Sequence, residues 1–437
     1  MSTGIITHWI YRHRRVFWVL VVAAIVILQV IVLGGNHDDW DTASASLLYG
    51  EMHPTIATQN FTPPFHTQGR HIKDVQDRII KLASINWYGA SDIDFVPGGL
   101  EVRHRDEVAQ LIRALGFNSV RLPYADELVH RNPLVNQSKI AANPDLIIDG
   151  FSPSALDVYH AVVESLTSAG LLVIVNNHIT TATWCCGINP CDLDWSNSWF
   201  GGELLCPVPQ TEERWIRNWE TIMRPLVSNE LVIGADLRNE VRGLWGTMHW
   251  DDWATAAERA SERLLTLNPN WLMIVEGISS ANDLSGVRSR PVQLSVPDRV
   301  VYSSHVYKWS GWGSLAPFSG RTYEGFADEM RKNWAYLIEE DIAPVWVGEI
   351  GTSESPSEGD KNYWRHLMRA LGTVDASWGY WALNARKAWG EWESYGLVGD
   401  EWDWETVRWD YRLEDLRVLG LNLGLNLSLN PNLKHGT

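Results

Sequence analysis

Two glutamates stand at the ends of short apolar segments. Glu240 follows the run LVIGADL at 231–237, and Glu349 closes the run APVWVGE at 343–349. Near-continuous apolar runs of this length are typical of strands that are covered on both faces. Two carboxylates about 5–5.5 Å apart can cleave a glycosidic bond with retention, one as nucleophile and the other as acid and then base. The pair therefore predicts double displacement at a sugar carbon, provided that the fold brings the two together.

Other polar and aromatic side chains of catalytic type lie at the ends of the remaining runs. They are Arg121, His178, Asn239, His305, Tyr307 and Trp381. A nearby cation keeps a carboxylate ionised, which makes Arg121 a candidate partner for Glu349. Tyr307 lies two residues after His305, on the same side of an extended segment, where its hydroxyl can donate to a carboxylate. The Asn239 amide suits a hydrogen bond to a sugar 2-hydroxyl.

A metal site is the alternative interpretation of the two histidines. His178 and His305 could join a carboxylate around a metal ion, or each could be a satisfied core histidine. The sequence contains no H-E-x-x-H or H-x-H spacing, so the common zinc patterns give this alternative no support. We expect no metal.

Strands alternating with helices can position these groups. The apolar runs are SINWYG (84–89), NSVRL (118–122), LLVIVNN (171–177), LVIGADL (231–237), WLMIVEG (271–277), RVVYSSH (299–305), APVWVGE (343–349) and GYWALN (379–384). Amphipathic stretches at 105–116, 155–170 and 252–267 predict helices between them. Eight alternations predict an α/β fold, the (β/α)8 TIM barrel, with its active site at the carboxyl ends of the strands. A doubly wound sheet is the alternative, but no glycine-rich nucleotide motif follows the first run.

The composition narrows the class of ligand. The chain has 437 residues and a formal charge of −17, and 45% of its residues are hydrophobic. This composition excludes wholesale disorder, and the negative charge excludes a nucleic-acid partner. Tryptophan occurs 25 times, against 13 tyrosines. Those expected on loops around the barrel mouth are Trp184, Trp195, Trp199, Trp309, Trp312, Trp389 and Trp392. Flat aromatic faces suit sugar rings, so these loops predict an oligosaccharide cleft.

The N-terminus predicts a membrane anchor. Residues 16–33 form an apolar run with one polar member, just long enough to span a bilayer. Basic residues precede the run and acidic ones follow it, which predicts a cytosolic segment at 1–15 and a single-pass type II topology. The alternative is a cleaved signal peptide and a secreted protein. The remaining domains expected are a stalk at 34–68, a catalytic domain at 69–418 and a low-complexity tail at 419–437.

Cysteine usage agrees with a lumenal or extracellular catalytic domain. All four cysteines fall within 22 residues, at Cys185, Cys186, Cys191 and Cys206. They can staple one loop in an oxidising compartment, and three pairings are possible. A zinc site is the alternative, without a C-x-x-C motif to support it. N-glycosylation sequons occur at Asn60, Asn136 and Asn426.

The order and spacing of seven segments resemble glycoside hydrolase family 5, the cellulase-type retaining β-glycanases. The segments are GRHIKDVQDRIIKLASINWYGA (69–90), SVRLPY (119–124), VNNH (175–178), IGADLRNE (233–240), SHVYKW (304–309), VWVGEIG (345–351) and GYWALN (379–384). The resemblance implies that Glu240 is the acid/base and Glu349 the nucleophile. It also implies supporting roles: Arg121 and Tyr307 hydrogen-bond the nucleophile, His178 and Asn239 bind the −1 sugar, His305 lies near the acid/base, and Trp381 forms a platform. The family needs no cofactor.

Two residues depart from the family pattern. Val241 follows Glu240 where the family has proline, and Asn176 stands where an aspartate is common. Both departures bear on substrate preference and leave the carboxylates intact. The expected function is a monomeric retaining endo-β-glycosidase that hydrolyses β-linked glucans. The alternatives are β-mannan, β-1,3- or β-1,6-glucan or a glycolipid as substrate, or a catalytically silent carbohydrate-binding protein.

Overall fold

The computed structural model describes residues 54–58, 60–310 and 317–422. Four of the predicted features lie wholly or mostly outside these ranges: the cytosolic segment at 1–15, the anchor at 16–33, the stalk at 34–68 and the tail at 419–437. The sequon at Asn426 and the rim tryptophan Trp312 also fall outside them. Within the described ranges, none of the helices combines the length and the apolar character that crossing a bilayer requires.

Eight parallel strands close into a barrel, which confirms the predicted architecture. A small antiparallel sheet precedes it, made of β1 (His66–Gln68), β2 (His71–Lys73) and β3 (Ile79–Ile80). The barrel strands are β4 (Ala83–Asn86), β5 (Ser119–Ala125), β6 (Leu172–Ile179), β7 (Val232–Asp236), β8 (Leu272–Glu276), β9 (Val300–Val306), β10 (Val345–Ile350) and β11 (Ser377–Tyr380). Neighbours in sequence are neighbours in space, and β11 closes the ring against β4.

Helices cover the outside of the barrel. They are α1 (Arg105–Ala114), α2 (Asp126–Arg131), α3 (Ala155–Ser168), α4 (Gly202–Leu205), α5 (Glu212–Met223), α6 (Trp250–Leu267), α7 (Tyr323–Met330), α8 (Tyr336–Glu339), α9 (Glu358–Val374) and α10 (Tyr411–Val418). Ser154 and Ser357 start α3 and α9 with capping boxes, in which an aspartate three residues later accepts from the cap. The helices predicted at 105–116, 155–170 and 252–267 are confirmed as α1, α3 and α6, and their ends lie within two residues of the predicted ones.

The barrel interior is apolar at its lower end. A cluster of buried side chains fills it, including Leu172, Ile174, Ile274 and Trp346. The small N-terminal sheet contributes Ile72 to this cluster and covers the lower opening. The charged side chains Arg121, Asp236, Glu276 and Glu349 lie toward the opposite, carboxyl end of the strands.

The chain on both sides of the barrel packs against it. The backbone amide of Ala57 donates to the carbonyl of Gly420 at 2.9 Å, and that of Thr55 donates to Asp375 at 3.0 Å. Phe65 is buried in the lower cluster. The expected boundary between residues 68 and 69 thus falls inside the β1–β2 hairpin. Polar, proline-containing composition suggested a linker there, but among its described residues Phe65 is buried and Phe61 is partly buried against the same cluster.

Candidate active site

Glu240 and Glu349 meet at the carboxyl end of the barrel. Their carboxylate oxygens lie within 4.8 Å of each other. Glu349 is the penultimate residue of β10 and is 5% exposed. Glu240 follows β7 in a turn with a positive φ of 49°. This spacing is shorter than the ~6.5–9.5 Å of inverting glycosidases, which leave room for a water molecule between the two groups.

Arg121 is the cation at the centre of the site. Its side chain, on β5, is completely buried. It donates hydrogen bonds to Glu349 (2.5 Å), Asp236 (2.7 Å), Asn239 (2.9 Å), Asn86 (3.0 Å) and Glu276 (3.0 Å). Burial alone would lower the pKa of Arg121, but the surrounding carboxylates outweigh burial and raise the pKa. Arg121 is therefore a fixed positive charge that orients Glu349.

Tyr307 supplies the second donor to Glu349. Its hydroxyl donates to the carboxylate at 2.9 Å, on the oxygen that Arg121 does not contact. Burial, and next the negative charge of Glu349, raise the pKa of Tyr307 well above its ordinary value. The phenol therefore keeps its proton and holds the carboxylate in one orientation.

His305 lies between carboxylates. Nδ1 is 3.2 Å from Glu240 and 3.8 Å from Glu349, and Nε2 is 3.4 Å from Glu276. Burial would lower the pKa of His305, but Glu276 and Glu349 outweigh burial and raise the pKa well above its ordinary value. His305 is therefore an imidazolium that can donate to Glu240.

The side chains of Glu240, His305 and Glu349 each place one possible ligand atom within 4.8 Å of the others. Hydrogen bonds and charge pairs already join these residues, because His305 faces Glu240 and Glu349 accepts from Arg121 and Tyr307. The residues form a hydrogen-bonded acid–base cluster.

His178 and Trp381 form a platform beside the carboxylates. Their rings stack at 5.4 Å and 12°, and Tyr88 also stacks with Trp381 at 4.9 Å and 1°. Burial, and next the charge of Arg121, lower the pKa of His178 well below its ordinary value. His178 is therefore neutral. Its Nδ1 lies 2.9 Å from the side-chain oxygen of Asn176, so Asn176 fixes the ring where an aspartate is common in the family.

The four cysteines are paired as Cys185–Cys186 and Cys191–Cys206. The side-chain nitrogen of Asn239 lies 3.3 Å from both sulfurs of the first pair, while its oxygen accepts from Arg121. The second pair closes a loop at the barrel mouth. Cys185 and Cys186 therefore border the site itself.

An open cleft of about 1240 Å³ contains both carboxylates. Of the predicted rim tryptophans, Trp184 and Trp309 line it. Trp195 is instead buried, with its ring 5.3 Å from that of Trp253. Trp199 is 50% exposed but lies outside the cleft lining. The prediction that these loops bear an aromatic cleft is therefore confirmed for some tryptophans and wrong for Trp195.

Sequence reasoning missed two carboxylates of the site, Asp236 and Glu276. Both are completely buried and bind Arg121. Burial and the proximity of Glu276 raise the pKa of Asp236, whereas His305 and Arg121 outweigh burial and lower the pKa of Glu276. Each residue is the last of its strand, β7 or β8. A signal was therefore present, because an acidic residue ends each apolar run.

A closed barrel with two facing carboxylates at the strand ends defines the class of (β/α)8 glycosidases. The model of the cellulase family, glycosyl hydrolase family 5, matches residues 83–387. The chain belongs to this family and is a glycoside hydrolase, as the resemblance predicted.

Several curated relatives carry the name endoglucanase. The endoglucanase of Paenibacillus polymyxa is 29% identical over 380 residues, which span 83% of this chain and 89% of the relative. The major extracellular endoglucanase of Xanthomonas campestris is 26% identical over 368 residues, or 80% of this chain and 70% of the relative.

Solved structures share the fold. The catalytic domain of the Xanthomonas campestris enzyme superposes with a TM-score of 0.66 at 23% identity, covering 82% of this chain and 99% of that one. An endocellulase of Pyrococcus horikoshii in complex with cellotetraose gives a TM-score of 0.65 at 23% identity, covering 82% of this chain and all of the other.

Proposed function

We propose that the chain is a retaining endo-β-1,4-glucanase in which Glu349 is the nucleophile and Glu240 the acid/base. The approach of one oxygen of each carboxylate to within 4.8 Å carries this proposal, because a retaining pair must lie close enough for one carboxylate to attack the sugar directly. The names of the relatives favour β-glucan as the substrate.

In the first step a Glu349 oxygen attacks the anomeric carbon while Glu240 gives its proton to the leaving oxygen. The glycosidic bond breaks through an oxocarbenium-like transition state, and a glycosyl ester of Glu349 forms. In the second step Glu240 takes a proton from water, which attacks the same carbon and releases Glu349. Arg121 and Tyr307 hold Glu349 for the attack, since both donate to it.

The remaining predicted residues serve the sugar in the −1 subsite. Trp381 offers a ring face, and His178 and Asn239 offer polar atoms beside it. An open cleft rather than a closed pocket favours attack within a chain, and hence the endo mode. No step requires a cofactor.

The decisive experiment compares Glu349→Ala and Glu240→Ala on an activated aryl β-glycoside. Both variants should lose hydrolysis, and azide should rescue Glu240→Ala, because the small anion replaces the base-activated water. NMR should find the product in the anomeric configuration of the substrate. Full activity in either variant, or an inverted product, would overturn the assignment.

Purified polysaccharides with product analysis by mass test the substrate. We expect cello-oligosaccharides from β-1,4-glucan. Products only from β-mannan, β-1,3- or β-1,6-glucan or a glycolipid would reassign the substrate. Glycan binding without any hydrolysis would favour a catalytically silent carbohydrate-binding protein.

We also propose that residues 16–33 anchor a monomer in the membrane with the catalytic domain on the lumenal or extracellular side. The basic segment at 1–15 and the apolar length of the run support this topology. Membrane fractionation and N-terminal sequencing of the mature protein test it. A soluble product that begins after residue 33 would instead identify a cleaved signal.

A further inference from the structure

A buried carboxylate, that of Glu276, lies next to the backbone of the proposed acid/base residue. Glu276, the last residue of β8, is completely buried. One oxygen accepts the backbone N–H of Glu240 at 2.7 Å. The other accepts from Arg121 at 3.0 Å and lies 3.4 Å from Nε2 of His305. Glu276 therefore contacts the backbone of Glu240 and one ring nitrogen of His305, whose other nitrogen faces the Glu240 carboxylate.

The backbone at Glu240 needs such support. Its φ of 49° lies in the left-handed region, which residues other than glycine rarely adopt. This backbone conformation costs ~1–3 kcal/mol and persists only where the surrounding structure enforces it. The family's proline after the acid/base is absent, since Val241 follows. The hydrogen bond from the Glu240 amide to Glu276 is therefore a direct restraint on this turn.

The charge of Glu276 has a second effect, on His305. An imidazolium buried between strands requires negative neighbours, and Glu276 is the one that faces Nε2. The other titratable groups that interact with His305 are Glu240, Glu349, Asp236 and His178. Of these, only Glu240 and Glu349 have a carboxylate oxygen within 4 Å of the ring.

We propose that Glu276 is a positioning residue for proton transfer: it holds the Glu240 turn by a hydrogen bond from the backbone amide and stabilises the charged His305 ring as an ion pair facing Nε2. The His305 Nδ1–H then points at the Glu240 carboxylate. Glu276 touches neither the sugar nor the reacting atoms. The inference rests on the proposed role of Glu240 as acid/base.

Asp236 provides a matched control. Like Glu276 it is completely buried and binds Arg121, but its hydrogen bonds go to Arg121 and Asn176 instead of Glu240 or His305. Glu276→Gln and Asp236→Asn therefore each replace one buried carboxyl group that accepts from the same guanidinium. Only the first removes the link to the acid/base.

The test measures kcat/KM against pH for two substrates, an unactivated cello-oligosaccharide and an activated aryl β-glycoside. Glu276→Gln should lose at least about tenfold more rate on the cello-oligosaccharide than on the aryl glycoside, because only the poor leaving group needs a well-placed acid. Its alkaline limb should move to lower pH, since His305 then gives up its proton more readily. Asp236→Asn should lower both rates alike and leave the alkaline limb in place.

Equal leaving-group dependence and equal pH profiles in the two variants would overturn the inference, because Glu276 would then act only as a structural counter-charge. If Glu276→Gln fails to fold, 15N NMR of the wild-type enzyme decides instead. We expect doubly protonated His305 at neutral pH, and a neutral ring would overturn the proposal. Failure of the proposed function is separately visible, as an active Glu240→Ala variant or an inactive wild-type enzyme.

Discussion

The upper end of the barrel contains two contrasting regions, the buried centre around Arg121 and the cysteine loop at residues 180–206. In the centre, Arg121, Asp236 and Glu276 are completely buried, and Arg121 forms an ion pair with each of the two carboxylates. In the loop, Leu204 and Ile188 are 92% and 79% exposed. The strand ends therefore hold the charged side chains of the site, while part of the loop is exposed to solvent.

The two regions respond differently to substitution. Breaking a buried ion pair leaves an uncompensated charge and destabilises by about 3–5 kcal/mol. Surface substitutions away from such features change stability by about 0.5 kcal/mol or less. The predictions below test whether this division holds.

The largest effect is expected for Arg121→Met, which leaves Glu349, Asp236 and Glu276 without their cation. The free energy of unfolding should fall by about 3–5 kcal/mol, and kcat by about 10²–10³ or more. Denaturant unfolding and steady-state kinetics measure the two. Arg217→Met is the control, since Arg217 pairs with Glu213 on the exposed face of α5; both quantities should stay unchanged. A stable, active Arg121→Met enzyme would contradict the central role of this cation.

The next effect concerns a single hydrogen bond within the centre. Tyr307→Phe removes the 2.9 Å donor to Glu349 and little volume. A hydrogen bond to a charged group contributes about 1.5–3 kcal/mol, so kcat/KM should fall by about 10- to 150-fold. Thermal unfolding should show little change. A change in KM alone, with kcat preserved, would mean that Tyr307 binds sugar rather than the nucleophile.

The centre was partly predictable from the sequence. Strands that are covered on both faces are apolar along most of their length, so the eight strands could be recognised as apolar runs. The carboxyl ends of the strands of a barrel lie at one end of the ring, so the polar residues that end these runs were expected to lie close together. The last run was misplaced, because β11 is Ser377–Tyr380 and Trp381 follows the strand. Glu276 was missed because a single acidic residue at a strand end usually faces solvent. Only the structure shows that it faces inward.

The loop was not predictable in the same way. Irregular chain has no period of two or 3.6 residues that separates inward from outward side chains. Trp195 and Trp199 lie four residues apart, yet one is buried and the other is exposed. The cysteine pairing also depended on which side chains the fold brings close.

A smaller effect is expected in the pH dependence. Glu349 must be ionised to attack, and protonation removes activity as the pH falls through its pKa. Burial raises the pKa of Glu349 above its ordinary value of 4.5, with His305 and Arg121 opposing the shift. The acid limb of kcat/KM, which reports the free enzyme, should therefore lie above pH 4.5. A limb at or below that value would show that the two cations outweigh burial.

The smallest expected effect is a change in substrate binding, which should differ between two tryptophans of the cysteine loop. Trp184 lines the cleft and packs edge-on against Tyr88 at 5.4 Å, whereas Trp199 lies outside the cleft lining. Both are substantially exposed, at 37% and 50%. Aromatic contacts contribute about 0.5–1.5 kcal/mol, so Trp184→Ala should raise KM for cello-oligosaccharides by roughly 2- to 12-fold with kcat nearly unchanged. Trp199→Ala should change neither constant. The two residues are both tryptophans and are both exposed. Equal changes in KM would therefore mean that a place in the cleft lining does not explain the effect of Trp184 on substrate binding.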